Sequence, residues 1–235
     1  MSLELHKPIL SFYFLFRNAW KILFYRSSIP RLLTDTILAQ LLSQLSGSVV
    51  DLGSSPKTNA TYRKVNPRLT YIASNIVPPY EVFVDMQNMP FGDGTVNNFL
   101  SVASLEHLPE PQRAVDEMQR TLKQDGYAIV VVPFMYRLHS LPDYFRFGFH
   151  SLKFLFRNFS SVSVYQVGDF DLTLMNMLYK KIWYWPLLCL FFVTKLFKSF
   201  FFRSSNNILC SEVYEEQKRG VYTAYPSLYL VIAQK

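Results

Sequence analysis

Few side chains in this 235-residue chain are suited to moving a proton, and the informative ones fall at two places. His107 sits in the stretch Ser104-Leu105-Glu106-His107-Leu108-Pro109, and His139 stands four residues before Asp143. Imidazole titrates near neutral pH, and a carboxylate beside one ring nitrogen sets its tautomer. A His139–Asp143 pair therefore has the chemistry to deprotonate a hydroxyl. His107 is a second candidate, placed just past a strand where a substrate could reach it. Plainer readings stand beside these. His107 can be a helix-start residue bonded to backbone, and His139 a solvated loop histidine. Asp143-Tyr144-Phe145-Arg146 can be a buried polar knot fastening its loop, and Glu106 reads as a helix cap rather than a base. A different chemistry is suggested by Ser48-Val49-Val50-Asp51-Leu52-Gly53-Ser54-Ser55-Pro56, where a strand runs into a turn of small residues. Such turns let backbone approach a ligand at the carboxyl ends of strands, and Asp51 can orient the loop or hold a cationic part of that ligand. A bare turn between a buried strand and a helix has the same composition.

The elements that must position these residues follow from pattern. Ile37, Leu38, Leu41, Leu42 and Leu45 form one helical stripe, with Thr34 or Asp35 as its cap and Gly47 as its stop. Strands are expected at Ser48–Asp51, Leu69–Ala73, Glu81–Asp85, Asn97–Ser101, Tyr127–Val132, Ser160–Val167 and Leu228–Ala233. Lys57 to Pro67 reads as a polar loop, and Asn75-Ile76-Val77-Pro78-Pro79 as a turn. A helix begins at Pro109 or Pro111, turns Ala114, Val115, Met118 and Leu122 inward, and is ended by Gln124-Asp125-Gly126. Another runs from about Gly148 to Arg157. Tyr127 to Val132 is apolar on both faces, as befits a central parallel strand. Strands alternating with helices predict an α/β fold with a mostly parallel sheet.

Composition sets the frame. Half of the residues are hydrophobic, so a sizeable core is available, and the aromatic share of 17% is high. A net charge of +7 favours acidic partners, but no nucleic-acid motif accompanies it; no nucleic-acid partner is expected. Two cysteines, Cys189 and Cys210, make neither a disulfide framework nor a metal site, and point to a reducing, cytoplasmic setting. The apolar run Ile9–Phe16 lacks the features of a signal peptide. Residues 1–33 form an aromatic and basic helical segment, and residues 34–235 the main domain, with a hydrophobic helical insertion at 171–211. In the first segment Phe16, Trp20, Leu23 and Phe24 recur at helical spacing. That stripe packs either on the domain or on a bilayer surface. Within the insertion, Ile182–Val193 is uncharged and flanked by lysines, too short to span a bilayer and interrupted by Pro186. It is either a buried lid or an interfacial helix, giving peripheral membrane contact through 1–33 and 180–203.

Asp51-Leu52-Gly53, Asp85-Met86-Gln87-Asn88-Met89-Pro90-Phe91, Ser104-Leu105-Glu106-His107-Leu108-Pro109 and Thr121-Leu122-Lys123-Gln124-Asp125-Gly126 occur together in order. With Tyr62-Arg63-Lys64 and Pro142-Asp143-Tyr144-Phe145-Arg146-Phe147, they resemble class I S-adenosylmethionine-dependent methyltransferases. More narrowly they look like the methyltransferase type 11 proteins found with glycan-assembly enzymes. The resemblance covers roughly residues 47–167 and implies a Rossmann-like, seven-stranded, mostly parallel sheet with helices on both faces and an antiparallel last strand.

It also implies S-adenosyl-L-methionine as cofactor and a role for each matching position. Asp51, Gly53, Ser54 and Ser55 would wrap the amino-acid end, and Asn75 would face the ribose hydroxyls. Asp85 and Met86 would border the adenine, and Ser101 to Leu105 the methionine side. His107, His139 and Asp143 are then the candidate catalytic residues for a hydroxyl acceptor on a sugar or lipid-linked glycan. The chain departs from the family pattern at Ser55, where a second glycine is usual, and at Asn75, where an acid is usual. Gln124-Asp125 also replaces the usual proline-glycine before the fifth strand. These departures leave a catalytically inactive, membrane-adjacent scaffold as the alternative.

Overall fold

The structure, a computed structural model, describes residues 3, 5, 14, 16–18, 21–22, 28–168, 170–178, 190, 193, 210–212 and 225–235. In chain order the elements are α1 (Ile29–Leu42), β1 (Ser48–Leu52), α2 (Pro56–Tyr62), β2 (Thr70–Asn75), β3 (Val82–Phe83) and β4 (Val96–Val102). A 3₁₀ turn (Leu105–His107) and α3 (Pro111–Thr121) follow, then β5 (Leu122–Pro133), α4 (Phe149–Leu155), β6 (Ser161–Val167), α5 (Phe170–Leu178), β7 (Cys210–Glu212) and β8 (Leu228–Gln234).

The strands form one sheet in the order β3-β2-β1-β4-β5-β8-β6-β7. β3, β2, β1, β4 and β5 pair in parallel, and β8 runs antiparallel between β5 and β6. All seven expected strands are present, the last one antiparallel as the resemblance implied. The eighth, β7, is a three-residue edge strand paired to β6.

Alternation along the strands builds two cores. Val49, Tyr71, Ala73, Leu100, Ile129, Val131 and Leu230 face one side, where α1 and α5 cover them with Leu33, Ile37, Leu41, Leu172 and Met175. Val50, Leu52, Phe99, Val130 and Val231 face the other, against Ala114, Val115 and Met118 of α3 and Leu152 and Leu155 of α4. A period of two on each strand therefore fills both faces, and neither side of the central strands meets water.

Four expectations about local structure are corrected. Helix α1 begins at Ile29, five residues before Thr34: Ser28 is its extended N-cap and Pro30 occupies the first turn, where a missing N–H costs nothing. Thr34 is buried within it, and Asp35 pairs with Arg31 at 3.0 Å and accepts the Tyr62 hydroxyl at 2.9 Å. The polar stretch after Pro56 contains helix α2, held down by that same buried Tyr62. Helix α3 stops at Thr121, because Leu122 already pairs with Val96. Gln124–Gly126 lie within β5, where its pairing with β4 shifts register, and Asp125 has φ +62°. A side chain at Gly126 would lie 2.6 Å from the Asn97 carbonyl oxygen, so only glycine fits there.

Of the N-terminal segment, Leu3, Phe14 and Ile22 are buried in the core cluster that contains α1, and Phe16 faces outward. The described part of the segment thus packs on the domain, with Phe14 and Ile22 inward rather than Phe16. Trp20, Leu23 and Phe24 lie outside the described residues, as does most of Ile182–Val193. Leu190 and Val193 are helical and exposed. No helix among the described residues is long and apolar enough to cross a membrane.

Candidate active site at the carboxyl edge of the sheet

From β1 the chain moves outward to β2 and β3, then crosses back to place β4 on the other side of β1. The strand order thus reverses between β1 and β4, the point at which doubly wound sheets bind their ligands. Gly53 makes the loop after β1 at φ +73°, and a side chain on it would come within 2.9 Å of the Ser104 Cβ. The loops after β1 and β4 therefore touch, and Ser104 Oγ reaches the carbonyl oxygen of Leu52 at 3.3 Å. The loop is also tied to β2: Ser54 N–H donates to Ser74 O and Asn75 Nδ2 to Ser54 O, both at 2.9 Å. Ser101, the last residue of β4 in register with β1, has a fully buried hydroxyl without a hydrogen-bond partner among the described residues.

Asp51 is 2% exposed, and the Tyr71 hydroxyl of the neighbouring strand donates to its Oδ2. Burial pushes its carboxyl up to about 6, and the Tyr71 hydrogen bond limits the rise. The same burial, with the Asp51 charge, pushes the Tyr71 hydroxyl above its ordinary range. Asp51 thus braces the loop from inside the sheet. Asn75 spends its side chain on its own turn, since Oδ1 accepts from Ile76 N–H at 2.7 Å and Val77 N–H at 3.2 Å. One of its amide N–H bonds is left. Asp85 Oδ1 accepts from Gln87 N–H at 2.9 Å, and Met86 and Leu105 are buried apolar residues beside these loops. Ser55 is exposed at the loop's outer side.

The proton-moving residues converge on the other side of the 3₁₀ turn. His107 Nε2 lies 3.3 Å from His139 Nε2, with ring centroids 5.0 Å apart. Between them stands Glu106, fully buried, its Oε1 3.4 Å from His139 Nε2 and 3.7 Å from His107 Nε2. Neither Glu106 oxygen has a hydrogen-bond partner on another described residue. Ser140 Oγ is 3.1 Å from His107 Nε2, and His107 Nδ1 donates to the Pro142 carbonyl. Behind His139, Asp143 Oδ2 lies 3.6 Å from Nδ1. Arg146 grips Asp143 with two nitrogens, one at 2.8 Å, and the Glu106 carbonyl accepts from Tyr144 N–H at 2.9 Å.

The charges are coupled. Burial raises the Glu106 carboxyl to about 7, the neighbouring Asp143 adding to the rise and Arg146 opposing it. The Arg146 guanidinium holds Asp143 below the usual carboxylate range. Burial, then the His107 charge, pushes the His139 imidazole down, so its neutral form is favoured.

His107, His139 and Asp143 are therefore brought together: Asp143 is held by Arg146 and lies 3.6 Å from His139 Nδ1. Asp51, Gly53, Ser54, Asn75 and Ser101 gather at the ends of β1, β2 and β4, and Asp85 and Met86 follow β3. Residues 104–107 join the two groups. Glu106 was read as a cap, yet it is the buried carboxylate that the two imidazoles share. Tyr71 carried no signal, because it acts through a hydrogen bond across strands, and the sequence did not show that Ser104 would meet the loop after β1. The cavities of about 330 Å³ and 470 Å³ resolved among the described residues lie at the opposite edge of the sheet, beside Ser46, Asn98 and Gly126 and beside Gly47 and Asn66.

Residues 36–130 match the family model of a methyltransferase domain. No curated protein matches the sequence. A methyltransferase from Archaeoglobus fulgidus that depends on S-adenosylmethionine superposes with a TM-score of 0.54 at 16% identity, covering 95% of this chain and 99% of that one. A possible histamine N-methyltransferase from Thermotoga maritima superposes at 0.51 with 14% identity, covering 95% and 97%. Phosphoethanolamine N-methyltransferase 2 of Haemonchus contortus, in complex with phosphomonomethylethanolamine and S-adenosylhomocysteine, superposes at 0.53 with 9% identity, over 97% of this chain and 60% of that one. At these identities the likeness is one of fold.

Proposed function

Since the chain carries a methyltransferase domain on the class I S-adenosylmethionine-dependent methyltransferase fold, we propose that it transfers a methyl group from S-adenosyl-L-methionine to a hydroxyl of a sugar or lipid-linked glycan. It would act in the cytoplasm, peripherally on a membrane. The observation that carries this reading is the junction at residues 104–107. Ser104 closes the loop after β1, and two residues on, Glu106 and His107 open the histidine cluster. A ligand in the β1/β4 crevice and an acceptor at the cluster would thus be neighbours.

The residues at the crevice fit the cofactor's parts. Gly53 leaves backbone bare at the tightest point, where a Cβ would strike Ser104. The buried Ser101 hydroxyl offers a polar group without a protein partner, and Met86 and Leu105 offer apolar surface. Asp51, Gly53, Ser54 and Ser55 would hold the amino-acid end, Asn75 the ribose through its remaining N–H, Asp85 and Met86 the adenine, and Ser101 to Leu105 the methionine side. When bound, S-adenosylmethionine supplies an electrophilic methyl group. The protein's part is alignment and proton removal. His139, neutral and backed by Asp143, accepts the acceptor's proton at Nε2, and His107 lies beside it to orient the hydroxyl.

The acceptor class is supported by surface chemistry. Ile76, Val77, Tyr80 and Phe83 are exposed after β2 and around β3, and Leu138, Leu141 and Tyr144 on the loop after β5. These apolar groups rim the same edge of the sheet, in a chain of net charge +7. Such a rim suits an amphipathic acceptor with an anionic group. The test is methyl transfer from radiolabelled S-adenosylmethionine to lipid-linked and free glycans. Labelled product that vanishes in His139→Ala supports the reading. S-adenosylhomocysteine binding with no transfer to any hydroxyl acceptor points to the inactive scaffold instead.

A further inference from the structure

Glu106, His107 and His139 carry more than an acid–base role. His107 donates from Nδ1 to the Pro142 carbonyl, so the lone pair of its neutral ring is on Nε2. Asp143 on the Nδ1 side of His139 favours the same tautomer, with the lone pair again on Nε2. Two ring nitrogens and a carboxylate oxygen thus lie together, 3.3, 3.4 and 3.7 Å from one another. The Glu106 side chain is fully buried and has no hydrogen-bond partner on another described residue. Ser140 Oγ can donate to His107 Nε2 and a protonated Glu106 to His139 Nε2; a cation between the three atoms would take the place of both donors.

We propose that Glu106 Oε1, His107 Nε2 and His139 Nε2 bind one divalent transition-metal ion of the zinc type. A tetrahedral ion with nitrogen and oxygen ligands at about 2.0–2.1 Å holds its donors about 3.3–3.4 Å apart, which is the spacing of two of the three pairs here, the third being 3.7 Å. Two imidazoles and one carboxylate suit a borderline ion rather than magnesium or calcium. The supporting contacts have the required form as well. Each ring presents its second nitrogen to an acceptor, the Pro142 carbonyl for His107 and the Asp143 carboxylate for His139, and Arg146 holds that carboxylate in place. Three protein ligands leave a fourth position, on the side of Ser140 Oγ. With the ion bound, a water or an acceptor hydroxyl there would be polarised, its proton passing to solvent water, and His139 would be a ligand; its role as base, given above, is that of the ion-free chain. That polarisation rests on the acceptor site proposed above; binding of the ion does not.

The experiment is titration of the chelator-treated full chain with Zn²⁺ by calorimetry, and with Co²⁺ by visible absorption. One ion per chain is expected, with the visible bands of tetrahedral cobalt. His139→Ala and Glu106→Gln should each weaken Zn²⁺ binding by about 100-fold or more, whereas a double Cys189→Ser/Cys210→Ser variant should keep it. Thermal melts of the ion-free variants establish that they fold. Should Glu106→Gln not fold, His139→Ala, on a loop, decides the matter. No binding at about 100 μM free Zn²⁺, or binding that survives both variants and disappears in the cysteine pair, would overturn the site. S-adenosylhomocysteine binding, measured on the same samples, separates the two readings: nucleoside binding without zinc refutes the metal site alone, and zinc binding without the nucleoside refutes the methyltransferase alone.

Discussion

Asp51 shows how a buried residue makes stability depend on pH. Its carboxyl titrates at about 6 in the folded chain, above the unfolded value of 3.8. Folding therefore takes up a proton between those values, and the contribution is fully present below about 4 and lost as pH rises through about 6. Roughly two pKa units correspond to a penalty on the order of 3 kcal/mol at neutral pH. Asp51→Asn keeps an acceptor for the Tyr71 hydroxyl and removes the charge. The melting temperature of the variant should gain on that of the wild type between pH 4.5 and pH 7.5, and a difference independent of pH would refute this role. Gly53 is constrained twice, by its positive φ and by Ser104. Gly53→Ala should lose about 1–3 kcal/mol and weaken nucleoside binding. Adding Ser104→Gly should restore part of the stability, because it relieves the contact and leaves the φ strain. An unchanged double variant would locate the constraint elsewhere. At this scale the sequence revealed the candidates unevenly. His107, His139 and Asp143 stood out as residue types able to move protons. Glu106 did not, because the direction in which a 3₁₀ turn points one side chain is set by tertiary contacts, not by spacing.

Strands were the most legible elements. Val49 to Leu52 and Tyr127 to Val132 combine β-branched composition with a turn after each, and their placement agrees with the structure to within a few residues except at the start of β5. Boundaries set by tertiary contact were harder to read. Ser28 and Pro30 start α1 before its apolar stripe becomes regular, and α2 hides in a polar sequence, with Tyr62 its one fully buried side chain among the described ones. Leu38 of α1 is fully buried against the sheet, so Leu38→Ala should cost about 2–5 kcal/mol in a denaturant melt. A loss under about 1 kcal/mol would mean that α1 is not a core helix. The membrane contact proposed above is also a matter of elements. Deleting residues 182–202 should reduce co-sedimentation with anionic vesicles and leave neutral vesicles unaffected, as lysines beside an apolar run require. Unchanged sedimentation would remove this segment as the anchor.

For the molecule as a whole, the order of the motifs counted for more than any one of them. Gly53-Ser54-Ser55 alone is an ordinary turn, yet with the Asp85, Ser104 and Gly126 stretches in sequence it located a sheet whose chain reverses direction beside β1. What could not be read is how the edge is finished. The two loops touch through Gly53 and Ser104, Asn75 folds onto its own turn, and the histidines close on Glu106, all contacts between residues distant in sequence. The function proposed requires that this edge hold a nucleoside. Calorimetric titration of the full chain with S-adenosylhomocysteine tests that directly. One site per chain with a dissociation constant well below a millimolar, lost in Gly53→Ala, is the expected result. No heat of binding at about 1 mM ligand from a chain that melts cooperatively would contradict it.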